Sequence, residues 1–330
     1  MSYRIRLQPS GRHFLAEAGE TVLEAALRHG VPLDYNCSSG TCGRCRAQLL
    51  EGQLGEVEFH DFVFSAAEKG QGWFLACRAH AGSDLTLAAA AAHSGDDIPP
   101  QRIATRVTKL ERFDNGVAIL HLRTPRTQTL RFLAGQAVML TLESGSRRVA
   151  AIASCPCNGM LLQFHFRRQR GDPFLATLFQ QVGRGTPVEL YGPCGHFTLD
   201  ESSNRPLLLI AEDTGFAPLR SLLEHALALE LSQPIRLLRL AGPGGHYLDN
   251  LCRAWQDAID NVSYRPLPRA DGDYRLLRQQ VDAWLAQNAP ADIYLAGTPL
   301  LYAALGRYAA AGHRVYRYVT GDASAPCSEA

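Results

Sequence analysis

The chain has 330 residues, 46% of them hydrophobic and 20% charged, which is enough for two or three packed domains of ordinary size. Its 33 basic and 32 acidic side chains leave a net charge of +1, which excludes the global field of a nucleic-acid or membrane-surface binder, so neither partner is expected. No segment approaches the roughly 18 consecutive apolar residues of a membrane span, and the start, Met1-Ser-Tyr-Arg-Ile-Arg, lacks the apolar stretch of a signal peptide, so a cytoplasmic protein is expected.

In chain order, residues 3–14 alternate as a first hairpin does, and Thr21-Val-Leu-Glu24 forms a capping box for a helix closed by Gly30. Cys37, Cys42 and Cys45 then stand at C-x4-C-x2-C with Cys77 far downstream, the plant-type ligand spacing of a [2Fe–2S] cluster. Cluster irons need thiolate ligands, and a tight loop can wrap three of them round one edge while the distant fourth closes the other. Gly40 and Gly43 lie inside that loop, where glycine lets the backbone turn its N–H groups toward sulfur. Zinc is the alternative, but zinc sites usually show two short pairs, and here only Cys42 and Cys45 form one. Residues 46–50 read as a strand, and Phe74-Leu-Ala-Cys77 brings in the last ligand. The other cysteines, Cys155, Cys157, Cys194, Cys252 and Cys327, show no disulfide framework and are expected as free thiols in a reducing compartment. Cys155-Pro-Cys157 is too short for an ordinary metal clamp and leaves redox activity open.

Residues 88–101 run from Ala-rich through a polar patch to Pro99-Pro100 and read as a linker. Short alternating segments at 103–110, 116–122, 137–142, 161–166 and 187–191 then predict a small β-barrel. After Arg205 strands at 207–211, 235–240, 262–267, 292–297 and 315–320 alternate with helices at 218–229, 247–258, 274–287 and 300–311, which predicts a doubly wound parallel sheet.

Through Cys37-Ser-Ser-Gly-Thr-Cys-Gly-Arg-Cys45 and Leu75-Ala-Cys77-Arg78 the first 90 residues resemble the plant-type ferredoxin domain, in the version fused to bacterial oxygenase reductases. A barrel followed by an open α/β domain resembles the ferredoxin-NADP reductase superfamily. The whole order resembles the reductases of ring dioxygenases and of phenol and methane monooxygenases, and the CDP-6-deoxy-glucoseen reductase. The resemblance implies a multi-domain α+β and α/β chain. It assigns a β-grasp [2Fe–2S] ferredoxin domain to 1–90, a linker to 91–101 and a small antiparallel flavin-binding β-barrel to 102–200. A doubly wound parallel NAD(P)-binding domain follows over 201–321, with a loose tail over 322–330.

The superfamily's flavin word is Arg-x-Tyr-Ser after a Pro-Gly-Gln-type entry, and this chain has Ala134-Gly-Gln136 followed by Arg148-Val-Ala-Ala-Ile-Ala-Ser154. The resemblance makes Arg148 the partner of a flavin phosphate and retains Ile152 and Ser154, while Ala150 and Ala151 replace the Tyr and the Ser. These changes remove an aromatic contact worth roughly 0.5–1.5 kcal/mol and a hydrogen bond worth about the same. Phe166-Arg-Arg168 and Gly171-Asp-Pro-Phe174 resemble the second flavin loop, with Phe174 in place of a small hydroxyl residue. Gly192 opens the matching Gly-Pro-x-Gly-x-Phe corner, and His121 and His165 are expected to be structural.

The dinucleotide turn, usually Gly-Gly-Thr-Gly-x-Ala-Pro at a helix N-terminus, reads Ala211-Glu-Asp-Thr-Gly-Phe-Ala-Pro218. Thr214, Gly215 and Pro218 fit; Glu212 and Asp213 do not, and a carboxylate about 6 Å from a phosphate costs on the order of 1–2 kcal/mol at an effective dielectric near 40. The late Tyr-x-Cys-Gly-Pro word appears as Tyr294-Leu-Ala-Gly-Thr-Pro299, keeping Gly297 and replacing the Cys of the hydride-transfer position with Ala296. Tyr318 lies near the superfamily's terminal aromatic.

The resemblance therefore implies an NAD(P)H-dependent reductase with FAD and a [2Fe–2S] cluster, passing single electrons to a redox protein such as an oxygenase component. Ser38, Ser39 and Arg44 would lie on the docking rim. The alternative is an electron carrier whose reductase half is catalytically silent, as Ala150, Ala151, Glu212, Asp213 and Ala296 favour. A cluster-based sensor ranks last, since nothing resembles a DNA-reading module.

Overall fold

The computed structural model describes every residue except 1, 32, 36–37, 90–97, 126–127, 270–271, 321–326 and 328–330. The first region contains β1 (Tyr3–Gln8), β2 (His13–Ala16), α1 (Val22–Arg28), β3 (Arg46–Glu51), β4 (Leu54–Val57), α2 (Ala66–Gly70), β5 (Trp73–Leu75), β6 (Ala79–Ala81) and β7 (Leu85–Ala89). Its mixed sheet runs β2-β1-β7-β3-β5, with β1 and β7 parallel at the centre and β4 paired to β6 beside it. The expected capping box starts α1: Thr21 Oγ1 accepts from the Glu24 amide at 3.2 Å, and the Glu24 carboxylate accepts from the Thr21 amide at 2.9 Å. Val22, Leu23, Ala25 and Ala26 then face a core shared with Ile5, Leu7 and Leu87. A second box, Ser65 with Glu68, opens α2. No buried residue follows it on that helix, so the apolar pattern that exposed the first box is missing.

The second region contains β8 (Gln101–Arg112), β9 (Val117–Arg123), β10 (Ala137–Leu142), β11 (Arg147–Ala151), β12 (Leu161–Arg167), α3 (Pro173–Gln180) and β13 (Pro187–Cys194). The antiparallel order is β11-β10-β13-β8-β9-β12, and the Ala153 amide donates to the Gln163 carbonyl at 2.8 Å, joining the chain beyond one edge strand to the other. Leu120, Val138, Leu140, Phe164 and Leu190 fill the interior.

The third region contains β14 (Leu207–Glu212), α4 (Phe216–Ala228), β15 (Ile235–Ala241), α5 (Asp249–Ala258), β16 (Val262–Pro268), α6 (Arg275–Asn288), β17 (Asp292–Gly297), α7 (Pro299–Leu305), α8 (Arg307–Ala310) and β18 (Arg314–Val319). The sheet is parallel in the order β16-β15-β14-β17-β18, with an apolar core on each face. Every residue of β14 is buried, as a central parallel strand requires. The single helix expected over 300–311 is two, parted at Gly306, and the helix expected from Tyr247 begins at Asp249. Strand order reverses between β14 and β17, which places the ligand crevice of such sheets at their C-terminal ends.

The first region packs on both others. Arg12 forms an ion pair with Glu201, and a Cβ on Gly30 would come within 2.9 Å of the His225 ring. Arg131 holds Asp34 at 2.7 Å, and the buried Tyr35 hydroxyl bonds Thr129 and the Gly159 backbone.

One expectation about cysteine is overturned. Cys194 and Cys327 form a disulfide across 133 residues with their Cα atoms 5.5 Å apart, and Cys327, expected as a free thiol in a loose tail, is buried. The separation is too long for a spacing pattern to reveal. The expected linker falls largely on residues 90–97, outside the described residues, while Gln101 already belongs to β8.

Candidate functional site

The ligand loop follows α1 and returns at β3. Cys37 lies outside the described residues; Cys42 is exposed, and Cys45 and Cys77 are buried with sulfurs 3.2 Å apart. The loop is fixed by two glycines: Gly40 has φ +79° and a Cβ there would meet His60 at 2.5 Å, while Gly43 has φ +70° and its Cβ would strike the Phe62 ring. The Arg44 amide points at Cys42 Sγ, 3.5 Å away, and the Ala76 amide donates to the Cys45 carbonyl at 2.8 Å, tying the last ligand to the loop. Two soft sulfur donors brought together, with Cys42 on the same loop and a backbone N–H turned toward its sulfur, suit an iron–sulfur cluster.

A cleft of about 230 Å³ opens between the barrel and the parallel sheet. Arg148, Ala150, Ala151, Arg167 and Arg168 form one wall, and Glu212, Asp213, Thr214, Arg269, Thr298 and Tyr318 the other. Arg148, on β11, pairs with Asp172. The same carboxylate caps α3 by accepting from the Leu175 amide at 2.9 Å, so Asp172 serves a helix terminus and a guanidinium together. Arg168 lies over the Phe179 ring, 4.8 Å from its centroid.

The two carboxylates in the dinucleotide turn are both satisfied within the protein. Glu212, buried at the end of β14, accepts from the Thr298 amide at 3.0 Å, the Thr298 hydroxyl at 2.6 Å and the Tyr274 hydroxyl at 3.3 Å. Asp213, at φ +55°, receives both arms of Arg167, one at 2.5 Å. A bidentate arginine offsets much of the carboxylate's field, so the repulsion expected from sequence is blunted. Gly215 is required by a close approach, since its Cβ would fall 2.1 Å from the Ala296 carbonyl, and Gly297 by another, 2.7 Å from Glu212 Cβ.

Of the residues singled out from sequence as cofactor contacts, the cleft wall brings together Arg148 and Thr214; Gly215 and Gly297 are outside its lining, packed against the Ala296 carbonyl and Glu212. Ile152 does not join them: it is fully buried in the barrel core. Ser154 is buried with its carbonyl accepting from Ser221 at 2.8 Å, Pro218 is buried in the first turn of α4, and Gly192 pairs with Gln101 in the barrel. Ala296 is fully buried, and Thr298 faces the cleft two residues on. Tyr318 lines the cleft and packs on Ala151, Ala153 and Ala217, in space the alanines leave. His165 also reaches the cleft, with Nδ1 2.9 Å from the Tyr247 hydroxyl, and burial, with Arg220 and Arg239 nearby, pushes its pKa well below the usual imidazole range. Arg269 was not found from sequence, since no motif word contained it; Arg167 and Asp172 lie in the words of the second flavin loop, but their pairing with Asp213 and Arg148 carries no spacing signal.

A thiolate-rich loop module joined to a barrel and a parallel sheet with a cationic cleft between them defines an iron–sulfur electron-transfer reductase. Comparison with known proteins agrees. Residues 5–82 match the family described as a 2Fe-2S iron-sulfur cluster binding domain. The reductase subunit of an aromatic O-demethylase from Amycolatopsis sp. is 33% identical over 296 residues, 88% of this chain and 85% of that protein. The CDP-6-deoxy-L-threo-D-glycero-4-hexulose-3-dehydrase reductase of Yersinia pestis is 28% identical over 271 residues, 82% of this chain and 81% of that one. The crystal structure of an Amycolatopsis cytochrome P450 reductase superposes with a TM-score of 0.56 at 26% identity, covering 96% of this chain and 98% of that one. The chain belongs to the ferredoxin-NADP reductase family, in the branch that carries a [2Fe–2S] ferredoxin domain.

Proposed function

We propose that this protein draws electron pairs from NAD(P)H and delivers them singly, through its [2Fe–2S] module, to a redox protein such as an oxygenase component. The observation that supports this most is the arginine-lined cleft at the C-terminal ends of β14 and β17. Four arginines and two internally paired carboxylates give it the charge a dinucleotide needs. Bound FAD would supply the conversion of a hydride into two single-electron steps.

The chain's own groups divide the binding work. Arg148 would exchange Asp172 for a flavin phosphate, and Arg168 and Arg269, which pair with no carboxylate among the described residues, would meet the remaining anionic groups. Tyr318 supplies from β18 the aromatic surface that Ala150 lacks. Thr214 and Thr298 offer hydroxyls at the crevice, and Glu212 fixes Thr298 in place. The exposed rim of the cluster loop, Ser38, Ser39 and Arg44, flanked by the exposed Phe59 and Val63, offers the docking face. A cytoplasmic location, where reduced nicotinamide is available, belongs to this reading; no helix among the described residues is long and apolar enough to cross a membrane.

Two acceptors test it. With NADH or NADPH the protein should reduce both ferricyanide and cytochrome c, and Cys77→Ser should keep the first activity while losing the second. Failure with both coenzymes and both acceptors would refute the reductase, and cytochrome c reduction surviving Cys77→Ser would refute the cluster as the exit.

A further inference from the structure

Cys155 and Cys157 are absorbed by neither the cluster nor the cleft. They sit on a turn closed by the Asn158 amide donating to the Cys155 carbonyl at 3.4 Å, with Pro156 between them. Proline's fixed φ suits this second position of a turn and holds the two flanking side chains close. The Cys157 amide donates to Cys155 Sγ at 3.3 Å, and the two thiols hydrogen-bond one another. That bond is the first cause lowering the Cys157 pKa and raising that of Cys155. The two thiols share one hydrogen bond, and Cys157, half-buried where Cys155 is buried, is the sulfur that a small disulfide can reach.

The surroundings favour reaction at one sulfur. Cys155 is buried, whereas Cys157 is half-buried and, with Pro156, lines a small apolar cavity against Val31, Leu33 and Tyr35 of the ferredoxin module. Cys252, by contrast, is a fully buried thiol with only an Arg239 contact at 3.3 Å, and Cys194 is already bonded to Cys327.

We propose that Cys155 and Cys157 form a reversible dithiol–disulfide centre at the seam between the barrel and the ferredoxin module, oxidised by low-molecular-weight disulfides and reduced by thiols. Cys157 attacks a disulfide R–S–S–R, forming a Cys157–S–S–R bond and releasing one R–SH. Cys155 then displaces the second R–SH and closes the Cys155–Cys157 bond. The two cysteines lose two electrons and two protons, and the small disulfide gains them.

The test uses the full chain loaded with its cluster and oxidised glutathione as the probe. After acid quench, alkylation in denaturant and trypsin digestion, both cysteines fall in one peptide, residues 149–167. The expected result is complete loss of alkylation at both, with no retained glutathione, restored by dithiothreitol. Cys155→Ser should instead accumulate a glutathione adduct on Cys157, and Cys157→Ser should leave Cys155 unmodified. Cluster absorbance checks each variant's fold, and a wild-type time course, in which the adduct rises and then decays, reads the same step without substitution. Full alkylation of both cysteines after exposure, or an adduct that persists in the wild type while Cys155 stays alkylatable, would overturn the proposal.

Discussion

The cysteine loop and the cleft are two candidate cofactor sites built by opposite means. The loop's chemistry resides in side-chain identity: Cys45 of one short segment meets Cys77 just after β5, with Cys42 on the same segment, and Gly40 and Gly43 permit the loop's left-handed turns. The cleft's chemistry is spread over β11, β12, β14, β17 and β18, and its charges meet in pairs distant in sequence, Arg148 with Asp172 and Arg167 with Asp213. A ligand set depends on each of its letters, whereas a distributed site can fill from one strand the space another leaves, as Tyr318 of β18 packs on Ala151 of β11.

The largest expected effect lies in the loop. Cys45→Ser or Cys77→Ser should abolish the cluster's visible absorption while leaving bound flavin untouched; flavin lost together with the cluster would mean the two sites are not separable. In the cleft, Arg148→Ala should weaken flavin binding about ten- to hundredfold, as expected for a charged hydrogen bond. Asp172→Asn keeps the α3 cap but releases Arg148 and should tighten binding; fluorescence titration of both variants measures this, and equal affinities would remove Arg148 from the site.

A smaller effect is expected at Glu212. Glu212→Ala strands the Thr298 amide and the Tyr274 hydroxyl and should cost about 1–3 kcal/mol in urea unfolding. Asp213→Gly relieves a positive φ and frees Arg167, so dinucleotide affinity should rise; no change in either quantity would show that these carboxylates are not the structural groups their partners imply.

The smallest effect concerns acid. Burial, with Arg12 adding, pushes the His225 pKa from 6.5 down to about 3, against the pull of the Glu201 carboxylate 2.9 Å from Nε2, which Arg12 shares. Below the unfolded value the unfolded chain binds a proton that the native one refuses, so this contribution is intact above about pH 6.5 and declines as pH falls toward about 3. His225→Gln should flatten the fall in stability over that window by about one proton. An unchanged slope in pH-dependent unfolding would place the linkage elsewhere.

Much of the fold was legible because it is repetitive. The buried run Leu207-Leu-Leu-Ile-Ala211 announces a central parallel strand, and the Thr21 to Glu24 box announces a helix start. The proposed cluster ligands stand out in the sequence because their spacing is itself the chemistry, and of the four Cys37 lies outside the described residues. The cleft was legible only where a backbone demand survives as a letter, as at Gly215, pressed against the Ala296 carbonyl. Whether Glu212 faced a phosphate or Thr298 depended on where β17 ends relative to β14, and Ile152 kept its motif position while its side chain served the barrel core. The Cys194 to Cys327 bond depended on where the chain's end returns, which no local pattern encodes.

The most direct measurement of the central claim is an anaerobic visible spectrum of the purified protein, with released flavin quantified, before and after NADH and then NADPH. The account predicts bound flavin and a cluster bleached by at least one coenzyme. A cluster spectrum without flavin, unresponsive to both coenzymes yet reduced by dithionite, would contradict it.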